Sequence, residues 1–113
     1  MHKSVSNMAY RYRWLNDALN DLSLEIGYVY SEFGLAVAQK AETKIRERVE
    51  LLCHFPNMGV VFGGILYCGN EVRVLHIKQI SIVYSVQGDL ITLIGLWNNR
   101  QDISRLQNII GSR

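Results

Sequence analysis

The sequence predicts a single α+β domain over residues 1–113, in the order β-α-α-β-β-β with a short closing helix. Three observations predict it. Two amphipathic helical patterns follow one another in the first half. Strand-like runs, alternating or continuously apolar, fill the second half. Helices and strands are therefore segregated along the chain. That favours a twisted, mainly antiparallel sheet with an N-terminal helical hairpin packed on one face.

Each element has its own signal. Met8, Tyr10, Tyr12 and Trp14 alternate with Ala9, Arg11 and Arg13, a period of two that predicts a strand with one aromatic face. Leu15, Ala18, Leu19, Leu22, Ile26, Val29, Tyr30 and Phe33 then step by three and four, which predicts an amphipathic helix. Asn16 or Asp17 is the expected N-cap, and Gly34 the expected left-handed stop. Ala38, Ala41, Ile45, Val49, Leu52 and Phe55 continue the helical step until Pro56. So little chain separates the two helices that they must pack as an antiparallel hairpin.

Past Pro56 the helical period disappears. Gly59–Gly69 reads as an apolar, glycine-rich loop leading into a strand. It is no phosphate cradle, because no Lys-Ser or Lys-Thr follows and no helix begins there. Glu71–Lys78, Ile80–Gln87 and Leu90–Trp97 are the next strands, the last apolar enough to be covered on both faces. Gln87-Gly88-Asp89 predicts a tight hairpin turn. Ile103, Leu106, Ile109 and Ile110 predict the closing helix, with Asp102 as its cap.

Composition bounds the function. At 49% hydrophobic and 19% charged, with one proline, the chain has material for one packed core and no disordered tract. The charge-free stretch Pro56–Asn70 is too short for a membrane span and carries four glycines. The first twenty residues lack the apolar core of a signal peptide. The expectation is a soluble, cytoplasmic protein without a membrane partner. Two cysteines and three scattered histidines predict no disulfide framework, no metal site and no cofactor. Net charge is only +2, but residues 1–15 hold three bases and no acid, and residues 56–113 hold five bases against three acids. The middle segment holds seven acids against four bases. The two basic flanks are expected to share a face.

Taken together, Trp14, Ala18, Asp21-Leu22, Tyr30, Phe33-Gly34, Phe55-Pro56 with Gly59, Arg73-Val74-Leu75, Ile82 to Val86, Gly88-Asp89 and Asn99 to Asp102 resemble the RelE/ParE superfamily of toxins. These belong to bacterial type II toxin–antitoxin modules. The resemblance runs from Tyr12 to Leu106 and is carried by the order and spacing of short motifs. It implies a growth-inhibiting toxin neutralised by a cognate antitoxin, as a homodimer or a toxin–antitoxin hetero-oligomer. Two target classes occur in the superfamily: RelE-like members cleave mRNA on the ribosome without a metal, and ParE-like members inhibit DNA gyrase.

RNA cleavage by 2′-OH attack needs a base, a cation near the phosphate and a proton for the leaving oxygen. Arg73 and Arg100 are the candidate phosphate clamps, since guanidinium binds phosphate oxygens in bidentate fashion. Lys78 and Arg105 add charge to the target-binding set. Tyr84 is a candidate for stacking on a base or holding a phosphate. Glu71, two residues before Arg73 and so on the same strand face, is the candidate base. His76 falls on the opposite face and is read as structural. The place where some RNA-cleaving members carry a histidine or tyrosine reads Trp97-Asn98-Asn99-Arg100, without a proton donor. Only one lysine lies beyond residue 44. The residues therefore lean toward the ParE-like, non-enzymatic reading, with the ribosome-dependent mRNA interferase as the alternative. A non-toxic binding module on the same fold is the third reading. The antitoxin is expected on the apolar run Val60–Cys68 or on the stripe Ile103, Leu106 and Ile110.

Overall fold

A computed structural model describes residues 10–113. Met8 and Ala9 of the predicted first strand lie outside the described residues, as does the side chain of Ile103. The elements are β1 (Arg11–Trp14), α1 (Asn16–Phe33), α2 (Leu35–Leu52), β2 (Val60–Tyr67), β3 (Asn70–Ile77), β4 (Ile80–Gln87), β5 (Leu90–Asn98), a 3-10 turn (Ile103–Arg105) and α3 (Leu106–Gly111). They form one sheet of order β1-β5-β4-β3-β2. β1 runs parallel to β5, and the other neighbours are antiparallel. The predicted α+β class and the helical hairpin stand.

The sheet has one strand more than the sequence predicts. Val60–Tyr67, expected as a loop leading into a strand, is itself an edge strand bonded to β3. Its register slips between Phe62 and Leu66, where Gly63, Gly64 and Ile65 have no partner on β3, and Gly64 has φ +87°. The glycine pair hides the alternation that marks a strand, and the backbone pairing with β3 supplies what side-chain pattern does not.

Two details of the hairpin also differ. The residue preceding α1 is Leu15, with no side-chain cap bond, so neither Asn16 nor Asp17 caps the helix. The Leu15 N–H instead bonds to Leu93 O, continuing the β1–β5 pairing into the helix start. α2 ends at Leu52, and Phe55 lies beyond it, 59% exposed rather than on the buried stripe. Gly34, at φ +90°, closes α1 as predicted, its N–H bonded to Tyr30 O.

The core has two layers. On one face Leu22, Ile45 and Val49 of the hairpin pack on Leu75, Ile82 and Leu93 of the sheet. On the other, Leu106 and Ile110 of α3 pack on Val72, Val74 and Ile94. β5 feeds both layers, as its continuous apolar run predicts. Tyr10 and Trp14 pack against the hairpin-side core, while Tyr12 is 40% exposed. Beyond Leu93, no strand among the described residues pairs with β5 on its β1 side. Side chains take that place. The Leu96 N–H donates to Asp21 Oδ2 (3.1 Å), and Arg113 Nη1 donates to Ile94 O (3.0 Å) and to Asp21 (2.6 Å). A Cβ on Gly95 would collide with both side chains and oblige the ion pair to shift.

The apolar stripe of α1 is buried only in part, and Leu19 within it is exposed. Ala18 and Leu22 are buried, but Tyr30 and Phe33 are exposed where the hairpin overhangs. No helix among the described residues is long and apolar enough to cross a membrane.

Candidate functional site

The predicted site residues fall into two separate groups. The first surrounds the exit from α2. Tyr84 is fully buried, and its hydroxyl donates to Pro56 O (2.7 Å) and accepts from the Gly59 N–H (2.8 Å). Burial pushes the Tyr84 phenol above its ordinary range, against the opposing pull of the Gly59 N–H and the Arg73 charge. Arg73 lies opposite Tyr84 across β3 and β4. Its Nη1 donates to Gly59 O (2.7 Å) and Asn57 O (3.3 Å). Two strand side chains thus satisfy the backbone of the Pro56–Gly59 turn, a segment with no ladder of its own. The spacing of Phe55-Pro56 and Gly59 gains a physical reason: a Cβ at residue 59 would lie 2.8 Å from the Tyr84 ring and hydroxyl. Glu71 is exposed, opposite Leu66 of β2, beside a hollow of about 300 Å³ at the glycine bulge.

The second group sits where β5 leaves the sheet. The Arg100 guanidinium lies over the Tyr28 ring of α1, 4.2 Å from its centroid. The Arg100 N–H donates to Asn98 Oδ1 (2.9 Å), and Asn98 Nδ2 donates to Glu25 Oε1 (2.8 Å). Asn99 binds the β3–β4 turn through its N–H to Gln79 O (2.8 Å) and its Nδ2 to Lys78 O (3.2 Å). Lys78 holds that turn at φ +55°. Ser81 Oγ donates to Asn99 Oδ1 (2.8 Å), so His76 Nδ1, 2.6 Å from Ser81 Oγ, is the donor in its own contact. His76 is a network residue on the face away from Arg73. Tyr28 is absent from the sequence-stated candidates; it reads as one more position of an amphipathic helix, and nothing local pairs it with Arg100.

The two groups do not meet. Arg73 faces Tyr84, whereas Asn98 faces Ile80, four residues away along β4, or roughly 13 Å at strand rise. Arg73 is bonded to the turn after α2 and Arg100 is stacked on α1, so one phosphate does not reach both. Arg105 belongs to the 3-10 turn before α3; the Asp102 carboxyl is held below its ordinary range by the Ser104 N–H first, then by the Ser104 side chain, with the Arg105 charge adding less. The Asp102 carboxylate accepts the Ser104 N–H at 3.0 Å and so caps the 3-10 turn; α3 follows Arg105 with no side-chain cap bond, so Asp102 is not the cap of the closing helix itself. Leu106 and Ile110 are corrected from docking residues to core: each is 2% exposed, spent on the sheet face that α3 covers. The two basic flanks also give up charge to local pairs, Arg11 to Asp89 (3.0 Å) and Arg113 to Asp21. No cluster of three metal-ligating side chains occurs among the described residues.

One further concavity stands out. Beneath the overhang of the hairpin lies a groove of about 1020 Å³. Val29, Ile45 and Ile80 are among its apolar lining, and Lys40, Lys44 and Lys78 stand with Glu25 and Glu47 around it.

Comparison with known proteins agrees with this architecture. The family model described as ParE toxin of type II toxin-antitoxin system, parDE, matches residues 12–103. A solved structure described as the chromosomal ParDE TA system from P. aeruginosa superposes with a TM-score of 0.66 at 22% identity. The match covers 80% of this chain and 97% of that one, a likeness of fold. No curated protein matches the chain.

Proposed function

The chain belongs to the ParE toxin family of type II toxin–antitoxin systems, and from that premise we propose that it arrests bacterial growth by binding DNA gyrase, breaking no bond of its own. The observation that carries this reading is the use made of Tyr84 and Arg73. Cleavage of RNA would require a proton-transfer group beside a free phosphate clamp. Tyr84 is buried and doubly bonded to the α2 exit, Arg73 is committed to the same turn, and Arg100 lies far from both. A toxin acting by binding needs no such gathering. Its surfaces need only be stable and exposed.

The same reading gives the chain a cognate antitoxin. The groove beneath the hairpin offers an apolar floor for the apolar face of an amphipathic helix, and its lysines suit acidic flanks on that helix. The exposed edge of β2, with Val60 at 68% and Leu66 at 61% exposure, offers main-chain pairing to an extended segment. On this reading the antitoxin binds the Val60–Cys68 run and the groove rather than Leu106 and Ile110, which are buried between α3 and the sheet.

Induction of the chain alone, with pulse labelling of DNA and protein synthesis, tests the target. DNA synthesis is expected to stop first, and purified chain is expected to inhibit gyrase supercoiling. Loss of protein synthesis while DNA synthesis continues would instead establish the mRNA interferase, with Glu71 and Arg73, which share a strand face, as its residues to test.

A further inference from the structure

We infer that Arg100 is a preorganised receptor for a single carboxylate on a protein partner, and that Tyr28 is its positioning residue. The inference rests on the reading that the chain acts by binding a protein.

The guanidinium of Arg100 is fixed through its face and open at its edge. Tyr28 covers the face. Among the described residues its N–H donors make no hydrogen bond, and no carboxylate lies within ion-pair distance. Arg11 is used on Asp89, Arg46 on Glu42, Arg113 on Asp21, Arg73 on two carbonyls and Arg13 on Thr92, whereas Arg48 and Arg105, like Arg100, make no such bond among the described residues; Arg100 differs from these two in being seated on an aromatic ring. The backbone beneath Arg100 is also held. Glu25 and Tyr28, three residues apart and so on one face of α1, grip Asn98 and Arg100 respectively, and Asn99 ties the same segment to the β3–β4 turn. A free arginine loses rotamer freedom when it binds, whereas a stacked one has lost much of it beforehand. The exposed edge then presents parallel N–H donors whose geometry matches a carboxylate or a phosphate.

The field around the residue chooses between these. α1 carries Asp17, Asp21, Glu25 and Glu32 and no lysine or arginine; Arg113 pairs with Asp21 (2.6 Å) and reaches Asp17 (3.8 Å), which leaves Glu25 and Glu32 without a basic partner among the described residues. A phosphodiester strand lying across Arg100 would bring successive charges within a Debye length, about 8 Å, of that acidic helix. One carboxylate on a protein surface meets the guanidinium without that accumulating repulsion. The opening is therefore suited to an acidic side chain or a chain-terminal carboxylate of a protein.

The test compares Arg100→Ala, Arg100→Lys, Tyr28→Leu, Tyr28→Phe and the double variant Tyr28→Leu/Arg100→Ala. Two readouts are taken: inhibition of gyrase supercoiling by purified chain, and growth arrest on induction. A mobility-shift assay with a single-stranded oligonucleotide supplies the nucleic-acid arm. Arg100→Ala is expected to lose about ten-fold in potency, and Arg100→Lys nearly as much because a point charge lacks the fork. Tyr28→Leu is expected to lose about three-fold, Tyr28→Phe to restore that loss by keeping the ring, and the double variant to match Arg100→Ala alone. Full potency in Arg100→Lys or in Tyr28→Leu overturns the inference. So does an Arg100→Ala effect seen only in oligonucleotide binding. Equal gyrase inhibition by every variant overturns it while leaving the gyrase reading intact. The expected ranking in growth arrest without any gyrase inhibition supports it and removes gyrase as the target. A chain that neither inhibits gyrase nor arrests growth overturns both.

Discussion

Tyr84 and Arg100 lie toward opposite ends of one sheet, and their polar groups are in opposite conditions. At the α2 exit the hydroxyl of Tyr84 and one nitrogen of Arg73 are bonded to backbone atoms of Pro56, Asn57 and Gly59. At the β5 exit the guanidinium of Arg100 is covered on one face by Tyr28 and keeps its donors exposed. Both positions bear residue types that chemistry or recognition would use. The difference is what each group does once the chain has folded. The first stabilises a turn that has no hydrogen-bond ladder of its own. The second is steadied and left free. Substitutions at the α2 exit are therefore expected to cost stability, and those at the β5 exit to cost function.

Gly59→Ala should show the largest effect. The new methyl meets the Tyr84 ring and hydroxyl and the Val74 carbonyl at 3.0 Å or less, so the turn must shift and the latch breaks. A loss of about 3 kcal/mol in urea unfolding is expected. A midpoint equal to wild type would mean that the Pro56–Gly59 turn yields without resistance.

Tyr84→Phe comes next, at about 2 kcal/mol, because Pro56 O and the Gly59 N–H each lose a partner in a buried setting. Its pH dependence has a definite sign. Burial raises the folded-state value of the phenol above its ordinary 10.0, so folding favours the protonated form. The contribution is complete below pH 10.0 and is lost as pH rises through the raised value. The stability advantage of wild type over Tyr84→Phe should therefore shrink in alkaline solution, and an advantage that widens there would contradict the assignment.

Arg73→Met should cost about 1 kcal/mol, since the carbonyls it serves lie near the surface and water can replace it in part. If this variant also abolished growth arrest while its unfolding midpoint moved this little, Arg73 would have a second task at a target. Arg100→Ala closes the series. Its side chain is exposed and no buried group depends on it, so thermal unfolding should shift by less than about 0.5 kcal/mol. Loss of activity in that variant with an unchanged midpoint would sharpen the contrast between the two ends, and a large stability loss would erase it.

Much of the fold was legible because it is written in period and punctuation. The steps of three and four from Leu15 to Phe33, the stop at Gly34 and the second stripe, read to Phe55 although the helix ends at Leu52, give the hairpin directly. Gln87-Gly88-Asp89 gives the β4–β5 turn, whose flanking residues Gln87 and Leu90 pair as expected. The Val60–Tyr67 strand was not legible, since Gly63 and Gly64 interrupt its alternation and only its pairing with β3 makes it a strand. The α3 stripe was legible as amphipathic but not as to what it covers. An exposed docking face and a core face have the same spacing, and only the position of α3 over Val72 and Val74 distinguishes them.

The candidate site divides in the same way. That Arg73, Arg100, Tyr84 and Glu71 are residues of interest follows from their types and from the motifs around them. Whether each is free does not. Tyr84 is tied to Gly59 and Pro56, which precede it by more than twenty residues, and Arg100 is seated on a helix from the other half of the chain. Local pattern determined which segments become helix or strand and which faces turn inward, because those depend on neighbours within a turn or a pleat. The tertiary structure decided which polar groups are consumed and which stay available. Hydrogen bonds and ring contacts of that kind depend on distance in space, and the fold brings distant stretches of sequence to 2.7 Å at Tyr84 and Pro56 and to 4.2 Å at Arg100 and Tyr28.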